Sequence, residues 1–178
     1  MKWFSFTLFI VILLVSCKFG KNSKKEQKAI DKPIIVLTFD DAPITDYTFV
    51  APLLKKYGFG GTFFVCEFPL KVPGDSSKYM SWKQIAELNR MGFEIGNHTH
   101  THKHVNRMNR QEMYEQLGYI EAKCKEYGIP KPVSFAYPGY DTSSLALDVL
   151  HEMGYKYARV DGSRKYVPSM DNPLLIPS

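Results

Sequence analysis

The chain has 178 residues, 44% hydrophobic and 23% charged, the proportions of a soluble globular protein, and its length predicts one domain. Its 12 Gly, 11 Pro and 3 Cys exclude a collagen-like or low-complexity chain and a disulfide scaffold. The formal charge of +5 is an N-terminal feature: residues 1–28 hold six Lys against one Glu, and the remainder 17 basic and 17 acidic residues, so no nucleic-acid partner is expected.

Met1 and Lys2 precede an apolar run, Trp3 to Ser16, of 14 residues. A membrane span needs about 20, so this length suits a signal-peptide core. The run closes Leu14-Val15-Ser16-Cys17, which resembles a bacterial lipoprotein box; an ordinary secretory signal with a chance Cys is the alternative. The expectation is a signal peptide over 1–16, a lipidated Cys17, and a charged tether over 17–32. The chain would then sit at the bacterial cell envelope, exported and held to the membrane by its lipid. Cys66 and Cys124 lie in apolar patterns that suit buried thiols.

The domain is expected from residue 33 onward. Pro33–Phe39 is a continuous apolar run of strand length, as are Thr62–Cys66, Phe93–Ile95, Val133–Ala136 and Tyr155–Val160. Between the first two, a helix ends at Tyr57 before Gly58, starting or kinking near Ala51 because Pro52 suits a first turn. Ser81 with Gln84 predicts a capping box ahead of Trp82, Ile85 and Leu88, with Gly92 as the stop. Asn109 with Glu112 resembles a second cap. Met113, Leu117, Ile120, Cys124 and Tyr127 then mark one buried helix face. A last helix runs from Leu145 to Met153. Five strands alternating with four helices predict an α/β fold with a parallel sheet.

Functional residues in such folds gather beyond the carboxyl ends of strands, and three segments have that address. Asp40 and Asp41 follow the first strand. Side chains of an extended segment alternate in direction, so one Asp can face a cation while the other acts as a base; the plain alternative is a turn with a capping Asp. His98, His100, His102 and His104 follow the third strand. His98 and His102 share i, i+4 spacing, which one helical turn brings to one face, but so do His100 and His104, and spacing does not choose between the pairs. Two imidazoles and a carboxylate would leave an open position on a zinc-like ion. The third segment, Phe135-Ala136-Tyr137-Pro138-Gly139-Tyr140, reads alone as a turn.

Taken in order, TFDDAP, HTHTH about 55 residues later and FAYPGY resemble the polysaccharide deacetylases, the NodB-homology or carbohydrate esterase 4 family. The resemblance runs from about Ile34 to the end of the chain. It implies a metal-dependent hydrolase that removes acetyl groups from N- or O-acetylated polysaccharide of the chitin, peptidoglycan or xylan type. It also implies an irregular (β/α) barrel. The family's base falls on Asp40, and the ligands of a divalent metal, zinc above all, fall on Asp41, His98 and His102. Substrate or oxyanion contacts fall on Tyr137, Pro138, Gly139 and Tyr140, with the Gly139 N–H as the oxyanion donor by position.

Three departures stand out. Ala42 replaces the commoner Gly of TFDDGP. Ala136 stands where many members carry an Arg that steadies the base. The late His that serves the family as proton donor has no counterpart, since His151 lies in a helix and too early. The expectation is therefore an incomplete NodB-like barrel of about five βα units out of seven or eight, the N-terminal portion of a deacetylase domain over 33–178. Two other functions compete: an envelope lipoprotein that binds metal or glycan without turnover, and a deacylase of small amides.

Overall fold

The computed structural model describes residues 34–68 and 75–178, so the expected signal peptide, Cys17 and tether lie outside the described residues. The domain runs from Ile35 to Ser178. Six strands form one parallel sheet in sequence order: β1 (Thr38–Phe39), β2 (Thr62–Val65), β3 (Glu94–Asn97), β4 (Ser134–Ala136), β5 (Tyr157–Val160) and β6 (Ile176–Pro177). Parallel neighbours need crossovers. The first four are made by α1 (Ala51–Tyr57), α2 (Trp82–Arg90), α3 (Arg110–Glu126) and α4 (Ser144–Glu152). The order never reverses, so every crossover advances in the same sense. The sheet curls into half of a (β/α) barrel instead of opening into a doubly wound sheet. Among the described residues no helix is long and apolar enough to cross a membrane.

The helix ends follow their local chemistry. The Ser81 and Gln84 side chains each accept from the other's backbone N–H, and Asn109 and Glu112 do the same at the start of α3. α1 is preceded by a π-helical turn, Asp46–Val50, and ends at Gly58 with φ +71°. There the left-handed conformation suits a residue without Cβ. Met113, Leu117, Ile120 and Cys124 of α3 are buried. Ile120 and Cys124 pack with Phe63, Leu88 and Ile95, while Met113 and Leu117 pack with Phe135, Val149 and Leu150. α3 thus joins two apolar clusters. Cutting a fully buried leucine such as Leu117 back to Ala typically costs about 2–5 kcal/mol.

Two strands differ from expectation. The first is confined to Thr38 and Phe39, paired with Thr62 and Phe63, and Ile35 and Val36 before it are 85% and 73% exposed. The sixth, Ile176–Pro177, pairs with Arg159 and Val160 of β5 and was not expected; two residues that include a proline carry no strand pattern. Because all strands are parallel, the loops after β1, β2, β3 and β4 emerge at one end of the sheet.

Candidate active site

The loops at that end are sharply bent. Asp41, Ala42, Thr99, His102 and Tyr140 have φ between 52° and 69°, and they are the positive-φ residues other than glycine among the described residues. Each such residue costs on the order of 1–3 kcal/mol and persists where its surroundings over-determine it. The histidine segment is therefore not a helical turn. Thr99 and His102, at φ 62° and 55°, reverse the chain, and it is this backbone that brings the imidazoles of His98 and His102 together, with ring centroids 4.8 Å apart. Asn97 supports the bend, its Oδ1 accepting from the Thr99 N–H at 2.9 Å.

The structure brings Asp41, His98 and His102 to one point, with a ligand atom from each inside a 4.8 Å limit. His98 Nε2 is 3.4 Å and His102 Nε2 3.5 Å from Asp41 Oδ1. Tetrahedral bonds of about 2.0–2.2 Å require ligand atoms roughly 3.3–3.6 Å apart, so the set fits a zinc-like ion. The donor chemistry agrees. The buried His98 donates its Nδ1–H to the Ala136 carbonyl at 2.8 Å, which turns Nε2 toward Asp41, where it donates to the carboxylate when protonated and offers a lone pair to a metal when neutral. Burial and the neighbouring His98 lower the pKa of His102, favouring the neutral ring that ligation needs. Hydrogen bonding to His98 and the field of both imidazoles, against burial, hold Asp41 below the usual carboxylate range. The Cys66 thiol also reaches Asp41 Oδ1, at 3.9 Å, while burial pushes that thiol up.

Asp40 turns the other way and pairs with Arg159 through Oδ2. Arg159 lies on β5, in register with Ala136 of β4. The guanidinium thus comes from the strand next to the position where the family pattern has an Arg. Its carbon sits 5.7 Å from the ring centres of both Phe64 and Tyr140. Asp40 Oδ1 is buried and has no hydrogen-bond partner. Sequence reasoning missed Arg159, since in YKYARV it reads as one more strand residue; the empty Arg position at Ala136 was the only signal that a guanidinium should be sought nearby.

The third segment divides. Tyr137 is buried, and its hydroxyl donates to the Leu174 carbonyl at 3.1 Å. The expectation of a substrate contact from this side chain is corrected: it is a core residue whose strand-to-loop position sets the turn. Pro138 is buried as well. Gly139 and Tyr140 lie at the mouth, at φ 60° and 61°, with the Tyr140 N–H donating to the Tyr137 carbonyl at 3.0 Å. An added Cβ on Gly139 would lie 2.3 Å from the His104 ring. His104 in turn donates its Nδ1–H to Asp141 Oδ2 at 2.7 Å. His100 points away from the centre, stacking on Tyr119 at 3.5 Å with Nε2 3.5 Å from Glu67 Oε2. The two pairs that spacing left equivalent thus separate by partner, His98 and His102 on Asp41, His100 and His104 on outer groups.

A family model described as polysaccharide deacetylase matches residues 27–158. A bifunctional xylanase/deacetylase of Pseudobutyrivibrio xylanivorans is 27% identical over 116 residues, 65% of this chain and 18% of that protein. A chitin deacetylase of Pestalotiopsis sp is 27% identical over 119 residues, 67% of this chain and 38% of its own length. In fold, the chain is similar to the Streptococcus pyogenes deacetylase PplD in complex with acetate, at TM-score 0.71 and 21% identity, covering 87% of this chain and 66% of that one. The chain spans less than half the length of the two curated relatives. Since the family match takes in all three loop segments and most of the sheet, this chain belongs to the polysaccharide deacetylase family.

Proposed function

We propose that the domain hydrolyses acetyl groups from an acetylated polysaccharide. The observation that carries this reading is the pairing of two different carboxylates on one turn. Asp41 belongs to a three-ligand donor set, and Asp40, beside it, is held by Arg159 with Oδ1 left unbonded. A divalent ion of zinc type at Asp41, His98 and His102 would acidify a water and polarise the acetyl carbonyl. Asp40 Oδ1 takes the proton of the attacking water and returns it to the leaving nitrogen or oxygen as its bond to the acetyl carbon breaks. Arg159 fixes the carboxylate through Oδ2 and so orients Oδ1. The 138–140 turn supports the developing oxyanion through backbone N–H, with Gly139 the donor by position. Tyr140, 47% exposed beside Arg159, borders the entry for sugar.

The polymer is of chitin, peptidoglycan or xylan type, the first and last being supported by the names of the matched relatives. Export and anchoring through Cys17 belong to the same reading and rest on the apolar run that closes in LVSC. The test is acetate release from acetylated chito-oligosaccharide and acetylated xylan, with added zinc, by the chain and by Asp40→Asn. Metal-dependent release that falls about 10²–10⁴-fold in the variant is expected of a lost general base. Equal release from both proteins, or none from either on any acetylated glycan, sinks the proposal.

A further inference from the structure

Beside the candidate centre a cavity of about 440 Å³ opens between the loop after β2 and the start of α2, a size usual for small-molecule sites. Its walls include Phe68, Tyr79, Trp82 and Ile85, and Glu67 lies on its lining. Phe68 stands between it and the centre, its ring 5.2 Å from the His102 ring and 5.2 Å from the Tyr79 ring. The reaction proposed above uses none of these residues.

Glu67 decides what the groove can hold. Its carboxylate accepts from the Trp82 indole N–H and, at 3.0 Å, from the Tyr119 hydroxyl. Both donors are neutral, so they orient the carboxylate without cancelling its charge. The ring of His100 approaches to 3.5 Å, and among the described residues no Lys or Arg ion pair to Glu67 is present. The side chain remains 37% exposed. Aromatic walls take the apolar face of a pyranose ring. A carboxylate and π-faces together favour a cation. An acetamide group brings no charge, whereas the free amine of a hexosamine does.

We infer that this groove is a subsite for an amino-sugar unit carrying a free ammonium, lying next to the unit being deacetylated. The inference rests on the proposed reaction for its biological sense, because the ammonium is what removal of an N-acetyl group leaves behind. A domain with this subsite holds a processed unit while acting on its neighbour, and works best on chains that are already partly deacetylated.

The test does not need turnover. The chain holds two Trp, Trp3 and Trp82, so in Trp3→Phe the emission of Trp82 reads the groove directly. Glucosamine tetramer and cellotetraose are titrated at about pH 6, where amines are charged; they differ by ammonium against hydroxyl, and neither has an acetyl group to lose. The cationic sugar should bind roughly fivefold tighter, as expected of one part-exposed ion pair. Glu67→Gln should bring the two affinities together, and Tyr79→Ala should weaken both sugars alike. Equal affinities in the parent, a preference that survives Glu67→Gln, or no change in Trp82 emission with either sugar overturns the inference. Acetate release is measured separately, so a chain that binds and does not hydrolyse counts against the proposed reaction alone.

Discussion

Gly139→Ala probes how closely the third loop is fitted to the histidine segment. An ideal Cβ there lies 2.3 Å from His104 Cε1 and 2.9 Å from each ring nitrogen, on a backbone at φ +60°. The left-handed conformation costs a residue with a Cβ about 1–2 kcal/mol. The overlap adds roughly 1–3 kcal/mol, the usual penalty of overpacking. The ring must also shift, which breaks its 2.7 Å hydrogen bond to Asp141. Gly139→Ala should therefore destabilise the domain by about 2–5 kcal/mol, read by urea denaturation from midpoint and slope. Installed in His104→Ala, the same change has no ring to strike and should cost only the backbone share, about 1–2 kcal/mol. The difference between backgrounds isolates the contact. An equal cost in both, or a loss below about 0.5 kcal/mol in the parent, would show that the ring does not sit on Gly139 and that the loop is held by other means.

Three further outcomes are expected. His98→Ala should weaken zinc binding by more than about 100-fold, beyond the 10–100-fold that outer groups command, while His104→Ala should leave it unchanged; calorimetric titration decides, and the reverse result would assign the ligands to the other pair. Arg159→Ala should lower acetate release at least about tenfold, part of the roughly 10²–10⁴ a positioned base provides, with zinc affinity intact; loss of both together would mean the pair is merely structural. Asp46 is buried near Asp40 and Asp41, and burial first, then those two charges, raise its pKa from 3.8 to about 7. The folded chain keeps this proton up to about pH 7 while the unfolded chain loses it near 3.8, so stability falls as pH rises between the two. In metal-free protein, Asp46→Asn should be neutral at low pH and stabilising by about 2–4 kcal/mol at pH 8; thermal melts showing no pH-dependent gain would refute it.

What the sequence made legible was whatever is local. The caps at Ser81 and Asn109, the buried face from Met113 to Cys124 and the parallel order of strands follow from spacing and side-chain chemistry, and the structure has them. The pairing of Asp41 with His98 and His102 was legible only through the ordered motifs, because i, i+4 spacing applies equally to His100 and His104, and the bend at Thr99 and His102 has no glycine to announce it. Arg159 was hidden for a different reason. Its meaning lies in a register, Ala136 opposite Arg159, and register is a property of two strands that neither shows alone. Tyr137 misled for the converse reason: it stands inside a motif, yet the strand ends one residue earlier and its side chain turns into the core.

That register also constrains how such a site can change. Here β5 offers the guanidinium to Asp40 from position 159, whereas the family pattern carries an Arg at position 136, its register neighbour on β4. A lineage can move the charge between them only by two substitutions, and the order matters. Losing the old Arg first leaves a part-buried carboxylate with no counter-charge. Gaining the new one first sets two guanidinium groups on one carboxylate, where mutual repulsion is softened by the shared anion and by the rings of Phe64 and Tyr140. On charge alone, the doubly charged arrangement is the milder of the two. Space opposes that route, since Ala136 is fully buried: Ala136→Arg beside Arg159 should cost about 1–3 kcal/mol through overpacking, read by urea denaturation.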